Sequence, residues 1–342
     1  MFYFLSPPSE RQYTGGHLYN QKIKSYFKGN SNFTVIDSNP GELSDHINQI
    51  SKNNKEITLI WDSLYLDHKE IFTKLKKNCP NIKQVPLLHY LPSMTDNTYE
   101  PEYEFLNQIS TKIIVTSQYM QDMLKSHIKC PIHVCKPGIE DLFLRFNRIK
   151  DNSTNNKVRF LTVANFDSSW NRSKGHIDIL ESLNHINSKN WHWEIIGDTQ
   201  TDIELFEKFK KKAAQYNLHK NITIFGKCPP NEVFLAYQEA DALIHFANWE
   251  SYGMVYAEAM AFNLPIITSA VGESPHLVEH KISGYLLNNK NELSQALENF
   301  ISSPDLRKKM TLETAKRKHK INTWENTYSG FKNVLFTAEA VQ

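Results

Sequence analysis

The sequence predicts an α/β protein built from two Rossmann-like domains with doubly wound parallel sheets, and three observations support this fold class. The chain has 342 residues, which is too long for one ordinary core and suits two domains. Short apolar runs that end in polar, Gly or Pro residues recur between longer helical patterns, as in buried parallel strands with crossover helices. This rhythm occurs twice, on either side of a polar segment. We therefore expect two sheets that face a cleft, with ligands at the carboxyl ends of the strands.

The candidate strands fall into two series, in chain order. The first series is FYFLS, FTVID, ITLIWD, VPLLHY, KIIVTS and PIHVC, and the second is VRFLTVA, WHWEIIG, ITIFG, ALIHFA, LPIITS and GYLL. Between them, FNRIKDNSTNNK lacks apolar periodicity and is rich in Asn, Asp, Ser and Thr, which is typical of a boundary. The prediction is an N-terminal domain over residues 1–150 and a C-terminal domain over 151–324. The amphipathic, strand-free segment from about 325 to 342 predicts a closing helix.

Composition excludes several classes of partner and compartment. With 39 basic and 37 acidic residues, no overall charge favours binding to nucleic acid. The four cysteines form no CxxC pair, so neither a zinc ribbon nor a disulfide framework is indicated. The start of the chain does not resemble a signal peptide, and no window reaches about 18 apolar residues. We expect a cytoplasmic protein, at most peripheral at the inner face of a membrane, where Lys22, Lys24 and Lys28 are either solvated or in contact with anionic lipid.

Common catalytic motifs are absent from the sequence. It contains no GxxxxGK[ST], GxGxxG, HExxH or GxSxG, which argues against a P-loop, a nicotinamide site and the commonest zinc and serine hydrolases. It also lacks DxD, an acidic pair that holds a divalent metal in many sugar transferases. A metal-free mechanism without a cofactor is therefore favoured.

The stretch NWESYGMVYAEAM contains two carboxylates, Glu250 and Glu258. On one continuous helix these residues would point about 80° apart and would not share a face. We therefore expect Glu250 in a loop and a helix that begins near Gly253, with Glu258 in its second turn. This helix would present the backbone N–H groups of Gly253, Met254 and Val255 to an anion.

Without a metal, a leaving diphosphate must be stabilised by Lys or Arg and by helix N-termini. Lys174 lies just before a predicted helix, with Arg172 two residues upstream, and Gly15 and Gly16 precede the first helix. Carboxylates near such a site suit ligands rich in hydroxyl groups. The residues thus indicate a sugar and a ribose bound together.

These motifs resemble those of the retaining glycosyltransferases of family 4, which have the GT-B fold and an E-x7-E motif. The matching segments are TGGH, VPLLHY, CKPGIEDLF, SKGHIDILESL, WEIIGD, ESYGMVYAEAMAFNLPIITSAVGESPHLVEHKISGYLL and TWE. The resemblance implies that Glu250 binds hydroxyls of the donor sugar and Glu258 binds the nucleotide ribose. It also implies that His89 faces the donor sugar near the reacting centre and that Lys174 contacts the diphosphate. The residues expected to line the diphosphate are Ser251, Tyr252, Gly253, Met254 and Val255.

The resemblance further implies that TWE leads the final helix back onto the N-terminal domain. The predicted activity is transfer, with retention, of a sugar from a nucleoside diphosphate sugar such as a UDP or GDP sugar. The acceptor is a hydroxyl of an unidentified glycan, lipid or small molecule, in polysaccharide or glycoconjugate biosynthesis.

One departure keeps an alternative open. Family members usually carry Gly-Arg where this chain has Ala164 and Asn165, so the expected phosphate-binding Arg is missing, and whether Arg172 replaces it is undecided. The alternative is a GT-B protein that binds, epimerises or hydrolyses a nucleotide sugar without transfer, for example an accessory subunit. His245 is expected to have a packing or hydrogen-bonding role, and Asp62 to cap a helix.

Overall fold

The computed structural model describes residues 1–8, 14–52, 56–94, 102–145, 157–169 and 173–336. The chain forms two compact units, one of Met1–Pro137 with Trp324–Gln342 and one of Gly138–Thr323. The division therefore precedes the polar segment on which the predicted boundary at 150/151 was based, and most of that segment, residues 146–156, lies outside the described residues. The shift has a physical reason, because Ile139 and Phe143 are buried in a core cluster of the second unit.

The first unit contains a six-stranded parallel sheet. Its strands are β1 Phe2–Ser6, β2 Phe33–Asp37, β3 Thr58–Asp62, β4 Lys83–Leu88, β5 Ile113–Val115 and β6 Ile132–Val134. Their order across the sheet is β2-β1-β3-β4-β5-β6. The strand order therefore reverses between β1 and β3, which is where ligands bind in open sheets of this kind.

Helices follow most of these strands. They are α1 Gly15–Phe27, α2 Leu43–Ser51, α3 Lys69–Asn78, α4 Tyr103–Ile109, α5 Gln118–Leu124 and the last helix of the chain, α14 Trp324–Phe336. Helix α1 begins at the predicted glycines, and the Thr14 side chain caps it by accepting from the His17 N–H. Trp61 on β3 is fully buried and stacks on Phe72 of α3 with ring centroids 4.1 Å apart, which anchors this helix to the sheet.

The second unit contains another six-stranded parallel sheet. Its strands are β7 Val158–Val163, β8 Trp191–Ile196, β9 Ile222–Gly226, β10 Ala242–His245, β11 Ile266–Ser269 and β12 Gly284–Leu287. The order β12-β11-β10-β7-β8-β9 is that of a Rossmann sheet, with its topological switch point between β7 and β10. Its helices are α6 Asp141–Leu144, α7 His176–His185, α8 Ile203–Gln215, α9 Pro230–Glu239, α10 Met254–Ala261, α11 Ser274–Leu277, α12 Lys290–Ser302 and α13 Pro304–Ala315.

Both strand series are confirmed, each run forming a strand of the expected sheet. The buried runs were recognisable because both faces of a parallel sheet are covered by helices, so the strands are almost continuously apolar. All four cysteines are unpaired. Within the described ranges, every helix is too short or too polar to cross a membrane.

Lys24, one of the lysines considered for lipid contact, is engaged within the first unit. Its Nζ pairs with the Asp37 carboxylate and donates to the Pro7 carbonyl oxygen at 3.2 Å, leaving 11% of its side chain exposed. Lys22 lies over the Trp324 ring, 5.7 Å from its centroid. The peripheral membrane contact stays a prediction, and Lys24 is poorly placed for it.

Candidate functional site

The loop between β10 and α10 positions Glu250. As predicted, α10 begins at Met254 directly after Gly253, and Glu258 falls in its second turn. One carboxylate oxygen of Glu250, Oε2, lies 3.0 Å from Lys174 Nζ and 3.3 Å from His245 Nε2. The other, Oε1, accepts a 3.1 Å hydrogen bond from the Gly253 N–H. Glu250 is thus held in one orientation by three donors.

These contacts determine the charge of Glu250. Burial raises the pKa of this carboxyl, but the Lys174 ammonium and the His245 hydrogen bond outweigh that effect and lower the pKa to about 2. Glu250 is therefore ionised at neutral pH. An ionised carboxylate in this position can accept hydrogen bonds from ligand hydroxyls.

Two glycines allow this arrangement because a side chain would collide with the neighbouring backbone. Gly175, next to Lys174, has φ +73°, and a Cβ there would stand 2.2 Å from the Phe246 carbonyl oxygen. Gly272 has φ +54°, and its Cβ would stand 1.6 Å from the Glu250 carbonyl oxygen. Left-handed backbone without a Cβ therefore brings the Lys174 turn and the loop after β11 against the Glu250 loop.

The buried side chain of His245 forms a hydrogen bond with Glu250. Its ring is buried, which lowers its pKa, so the ring is neutral at neutral pH. Since its Nε2 faces an ionised carboxylate, Nε2 carries the proton and donates. The expected hydrogen-bonding role is therefore observed, but the partner, Glu250, could not be identified from a lone His at a strand end.

Glu258 has a different environment. The Tyr237 hydroxyl donates to its Oε2 at 2.8 Å. Burial, with a smaller contribution from Glu140, raises the pKa of Glu258 to about 7 despite the Tyr237 hydrogen bond. The two carboxyl groups of the E-x7-E pair are therefore electrostatically unlike. The sequence analysis did not identify Tyr237, because a buried Tyr on a helix has no distinctive local signal.

The start of α10 supplies the other predicted donor-binding residues. Gly253 already uses its N–H on Glu250, while Met254 and Val255 are the first helical residues, whose N–H groups have no acceptor within the helix. Tyr252 is buried, and its hydroxyl has no partner among the described residues. The binding roles of Ser251, Tyr252, Gly253, Met254 and Val255 stay predictions.

Asn165, at the position where the resemblance implies an arginine, forms a hydrogen bond within the protein. Asn165 Oδ1 accepts from the Asp198 N–H at 2.8 Å, which ties the end of β7 to the end of β8. Lys227 pairs with the Asp198 carboxylate at 2.8 Å. Arg172, the predicted substitute, lies outside the described residues.

A second cluster lies in the first unit, at the carboxyl ends of β3 and β4. His89 Nε2 is 3.1 Å from Asn20 Oδ1 and 3.3 Å from Asp62 Oδ2. Asp62 is fully buried and also accepts from the Leu64 N–H at 2.7 Å, so the expected helix cap is present. Burial raises the pKa of Asp62, but His89 and Asn20 outweigh it and the net shift is downward.

Gly15 and Gly16 begin α1 beside this cluster. A Cβ on Gly16 would meet the His89 ring at 3.4 Å, so these two candidate site residues lie close together. Their proposed ligands remain untested. Among the residues that the structure describes, no group of three or more His, Cys, Asp or Glu side chains is arranged to hold a metal ion.

Comparison of the sequence with known proteins finds a family model and relatives that are described as glycosyltransferases. A family model described as "Glycosyl transferases group 1" matches residues 145–317, about half of the chain. The alpha-1,3/1,6-mannosyltransferase ALG2 of Mus musculus is 23% identical over 226 residues, which is 61% of this chain and 54% of that protein. The chain spans about half the length of the curated relatives it matches.

Solved structures match over nearly the whole chain. Sucrose-phosphate synthase from Thermosynechococcus elongatus has a TM-score of 0.74 at 16% identity, covering 97% of this chain and 98% of that chain. Anabaena HepE in complex with UDP and glucose also has a TM-score of 0.74, at 14% identity, covering 98% of both chains. At such identities the likeness concerns the fold, and the predicted GT-B fold is confirmed.

Proposed function

Because the chain belongs to the glycosyl transferases of group 1, we propose that it transfers a sugar from a nucleoside diphosphate sugar to an acceptor hydroxyl, with retention of configuration and without a metal. The observation that supports this most is the ion pair of Glu250 and Lys174, 3.0 Å apart, beside the N-terminus of α10. In this pair the ionised carboxylate of Glu250 can accept hydrogen bonds from sugar hydroxyls, and the ammonium group of Lys174 can bind a diphosphate.

In this proposal Lys174 and the first N–H groups of α10 stabilise the negative charge that develops on the departing diphosphate. Fixed donors are effective in that role because they need no reorganisation as the charge develops. Glu250 orients the sugar through its hydroxyl groups, and orientation lowers the barrier further. The bond between the anomeric carbon and the diphosphate breaks ahead of attack on the same face by the acceptor oxygen, whose proton passes to the diphosphate.

Glu258 binds the ribose in the same proposal. As a carboxylate it accepts two O–H bonds from a vicinal diol, and Tyr237 holds it at 2.8 Å. Because the pKa of Glu258 is raised to about 7, ribose binding by the ionised form depends on pH near neutrality.

The names of similar proteins support the proposed donor class. Anabaena HepE was solved with UDP and glucose, and ALG2 is named a mannosyltransferase. A UDP or GDP hexose is therefore the first donor to test here.

The test is a donor-consumption assay with UDP, GDP, ADP and dTDP sugars and a mixture of glycan, lipid and small alcohol acceptors. We expect one donor to release its nucleoside diphosphate with the sugar appearing on an acceptor, and EDTA to leave the rate unchanged. Glu250→Gln should remove the activity. A Glu250→Gln enzyme as fast as the wild type, or a rate abolished by EDTA and restored by a divalent metal, would contradict the proposal.

The alternative, a protein that binds or breaks down a nucleotide sugar without transfer, is favoured by one observation. Asn165 stands where the family usually has a phosphate-binding Arg, and its amide is used to accept the Asp198 N–H. The two functions differ in the products formed without an acceptor. Epimerised sugar, or free sugar at the same rate with and without acceptors, would support the alternative.

A further inference from the structure

The His89 ring is held at one nitrogen by two neighbours in the first unit. Its Nε2 lies 3.1 Å from Asn20 Oδ1 and 3.3 Å from Asp62 Oδ2. The backbone is fixed as well, because the His89 N–H donates to Ser63 Oγ at 3.1 Å. The edge of the ring meets Tyr19, with centroids 5.3 Å apart. Both the position and the rotation of the imidazole are therefore defined.

The hydrogen-bond directions around Asp62 follow from its neighbours. The Asn20 Nδ2 group donates to Asp62 Oδ2, and the Leu64 N–H donates to Asp62 Oδ1 at 2.7 Å. Since Asn20 uses its NH₂ group on the carboxylate, its oxygen is the atom that faces His89. Asp62 is buried, and each of its two oxygens accepts from an N–H donor of the protein, so it faces His89 as an acceptor.

Two acceptors therefore face Nε2, and a nitrogen facing only acceptors must carry the proton. In the neutral ring, Nδ1 is then the nitrogen with the free lone pair. No described residue forms a hydrogen bond to Nδ1, and 11% of the side chain is exposed. A Cβ on Gly16 would stand 3.4 to 3.7 Å from three atoms of the ring, Nδ1 among them, and the glycine places no side chain there.

We propose that Asp62 and Asn20 are positioning residues that hold His89 in the Nε2–H tautomer, so that Nδ1 accepts a hydrogen bond from a substrate hydroxyl. This inference deepens the proposed function and rests on it for the identity of the hydroxyl, which belongs either to the donor sugar or to the acceptor. It assigns Asp62 a role beyond capping the turn after β3. It also makes Nδ1 of the neutral His89 ring an acceptor towards the substrate.

The consequence of replacing Asp62 by Asn can be derived from the same contacts. The Leu64 N–H still requires an acceptor, so the new amide directs its oxygen there and its NH₂ group towards Asn20. Asn20 must then turn its own oxygen to that NH₂ group and present its NH₂ group to His89 Nε2. Asp62→Asn therefore favours the Nδ1–H tautomer, in which the nitrogen facing the substrate becomes a donor.

The test is NMR of the full chain with ¹⁵N-labelled histidine, at a pH where the ring is neutral. His89→Gln identifies the His89 resonances, and Asp37→Asn, which alters a carboxylate paired with Lys24, is the matched control. We expect the Nε2–H pattern in the wild type and in Asp37→Asn, and a shift towards Nδ1–H in Asp62→Asn. A wild-type ring protonated at Nδ1 would overturn the inference, and so would an unchanged ring in a folded Asp62→Asn.

Kinetics provide the second arm. Asp62→Asn should lower kcat about tenfold or more while leaving KM for the nucleotide sugar within about twofold, whereas an equal loss in Asp37→Asn would show a merely structural effect and count against the proposal. If Asp62→Asn fails to fold, Asn20→Ala should still lower kcat, by less than about tenfold because Asp62 still faces Nε2, and a kcat equal to that of the wild type would count against the proposal. An Nδ1 resonance that moves with the nucleotide sugar alone assigns the hydroxyl to the donor, and one that moves only in the full reaction mixture assigns it to the acceptor.

The outcomes for this inference and for the proposed function are separable. If no nucleotide sugar is consumed by the wild type, the proposed function fails, while the tautomer measured by NMR still decides whether Asp62 and Asn20 set the ring.

Discussion

The two units each place a carboxylate against a histidine at the carboxyl ends of their strands, but the third member of the cluster differs. In the first unit Asp62 is paired with His89 and the neutral amide of Asn20. In the second unit Glu250 is paired with His245 and the cation Lys174. The comparison indicates that the first cluster orients a ring, whereas the second holds a charge pair.

The two histidines differ in accessibility. The His245 side chain is 2% exposed, against 11% for His89. His245 can therefore act only through Glu250, whereas part of the His89 side chain is accessible. The same two groups therefore have opposite roles in the two units. In the second unit the histidine, His245, orients the carboxylate of Glu250, whereas in the first unit the carboxylate of Asp62 orients the ring of His89.

The strongest way to break the charge pair is to remove its cation. Lys174→Ala leaves Glu250 without its counter-ion and removes the charge proposed to stabilise the diphosphate, so turnover should fall about 10²- to 10³-fold. The assay is initial rate of donor consumption. The matched control is Lys210→Ala, since Lys210 forms an exposed pair with Glu207 at 2.7 Å and exposed pairs contribute little. Equal rates in the two variants would refute the role of Lys174.

A pH titration separates the carboxyl groups. The pKa of Glu258 is raised to about 7 by burial, whereas the pKa values of Glu250 and Asp62 are lowered. Of these three carboxyl groups, Glu258 is therefore the one that changes charge near neutrality. Its carboxylate is present above pH 7 and lost below it. We expect the affinity for the nucleoside diphosphate, measured by calorimetry, to fall about tenfold from pH 8 to pH 6.

The control for this titration is Glu258→Gln, which cannot ionise. Its affinity should be weaker at pH 8 and nearly independent of pH over the same interval. A wild-type profile that is flat between pH 6 and pH 8, or a Glu258→Gln profile as steep as the wild type, would show that Glu258 does not bind the ligand as a carboxylate.

The support from His245 predicts a smaller effect. His245→Leu removes the N–H that donates to Glu250 at 3.3 Å and should weaken binding of the nucleotide sugar about five- to tenfold, or about 1 kcal/mol, the usual net value of one hydrogen bond. His245→Gln restores a donor and should recover part of this loss. Dissociation constants of both variants against the wild type provide the check, and identical values for Leu and Gln would mean that the contact is only packing.

The smallest expected effect on binding concerns Asn165. Because its amide accepts the Asp198 N–H, Asn165→Ala should cost about 1 kcal/mol of unfolding free energy and leave donor affinity within about twofold. Urea denaturation and calorimetry measure the two quantities. A large loss of affinity with unchanged stability would identify Asn165 as a phosphate ligand.

Much of the fold was predictable from local sequence. Every proposed strand exists, and α10 begins where Gly253 indicated, because buried strands and helix starts have short-range signatures. The division between the units precedes the predicted boundary at 150/151, because Ile139 and Phe143, which come before the polar segment, already pack in the second unit. A polar composition indicates that a segment is exposed, but it does not show in which of the two cores the residues before and after that segment are buried.

The candidate residues were also partly predictable. Glu250, Glu258, Lys174 and His89 were identified from motifs, yet their partners were not. Asn20 and Asp62 are 42 residues apart, and Tyr237 and Glu258 are 21 apart. Such pairs depend on how strands and helices are brought together, and no periodicity in the sequence specifies them. The pKa values of the two glutamates could not be anticipated for the same reason.

The central claim, that Glu250 and Lys174 bind a nucleoside diphosphate sugar, is tested most directly by thermal shift with UDP, GDP, ADP and dTDP sugars. A ligand of the folded protein raises the melting temperature by mass action. We predict that at least one nucleotide sugar raises it by a few degrees in the wild type and in Lys210→Ala, but not in Lys174→Ala. No shift with any nucleotide sugar, or the same shift in Lys174→Ala, would contradict the claim.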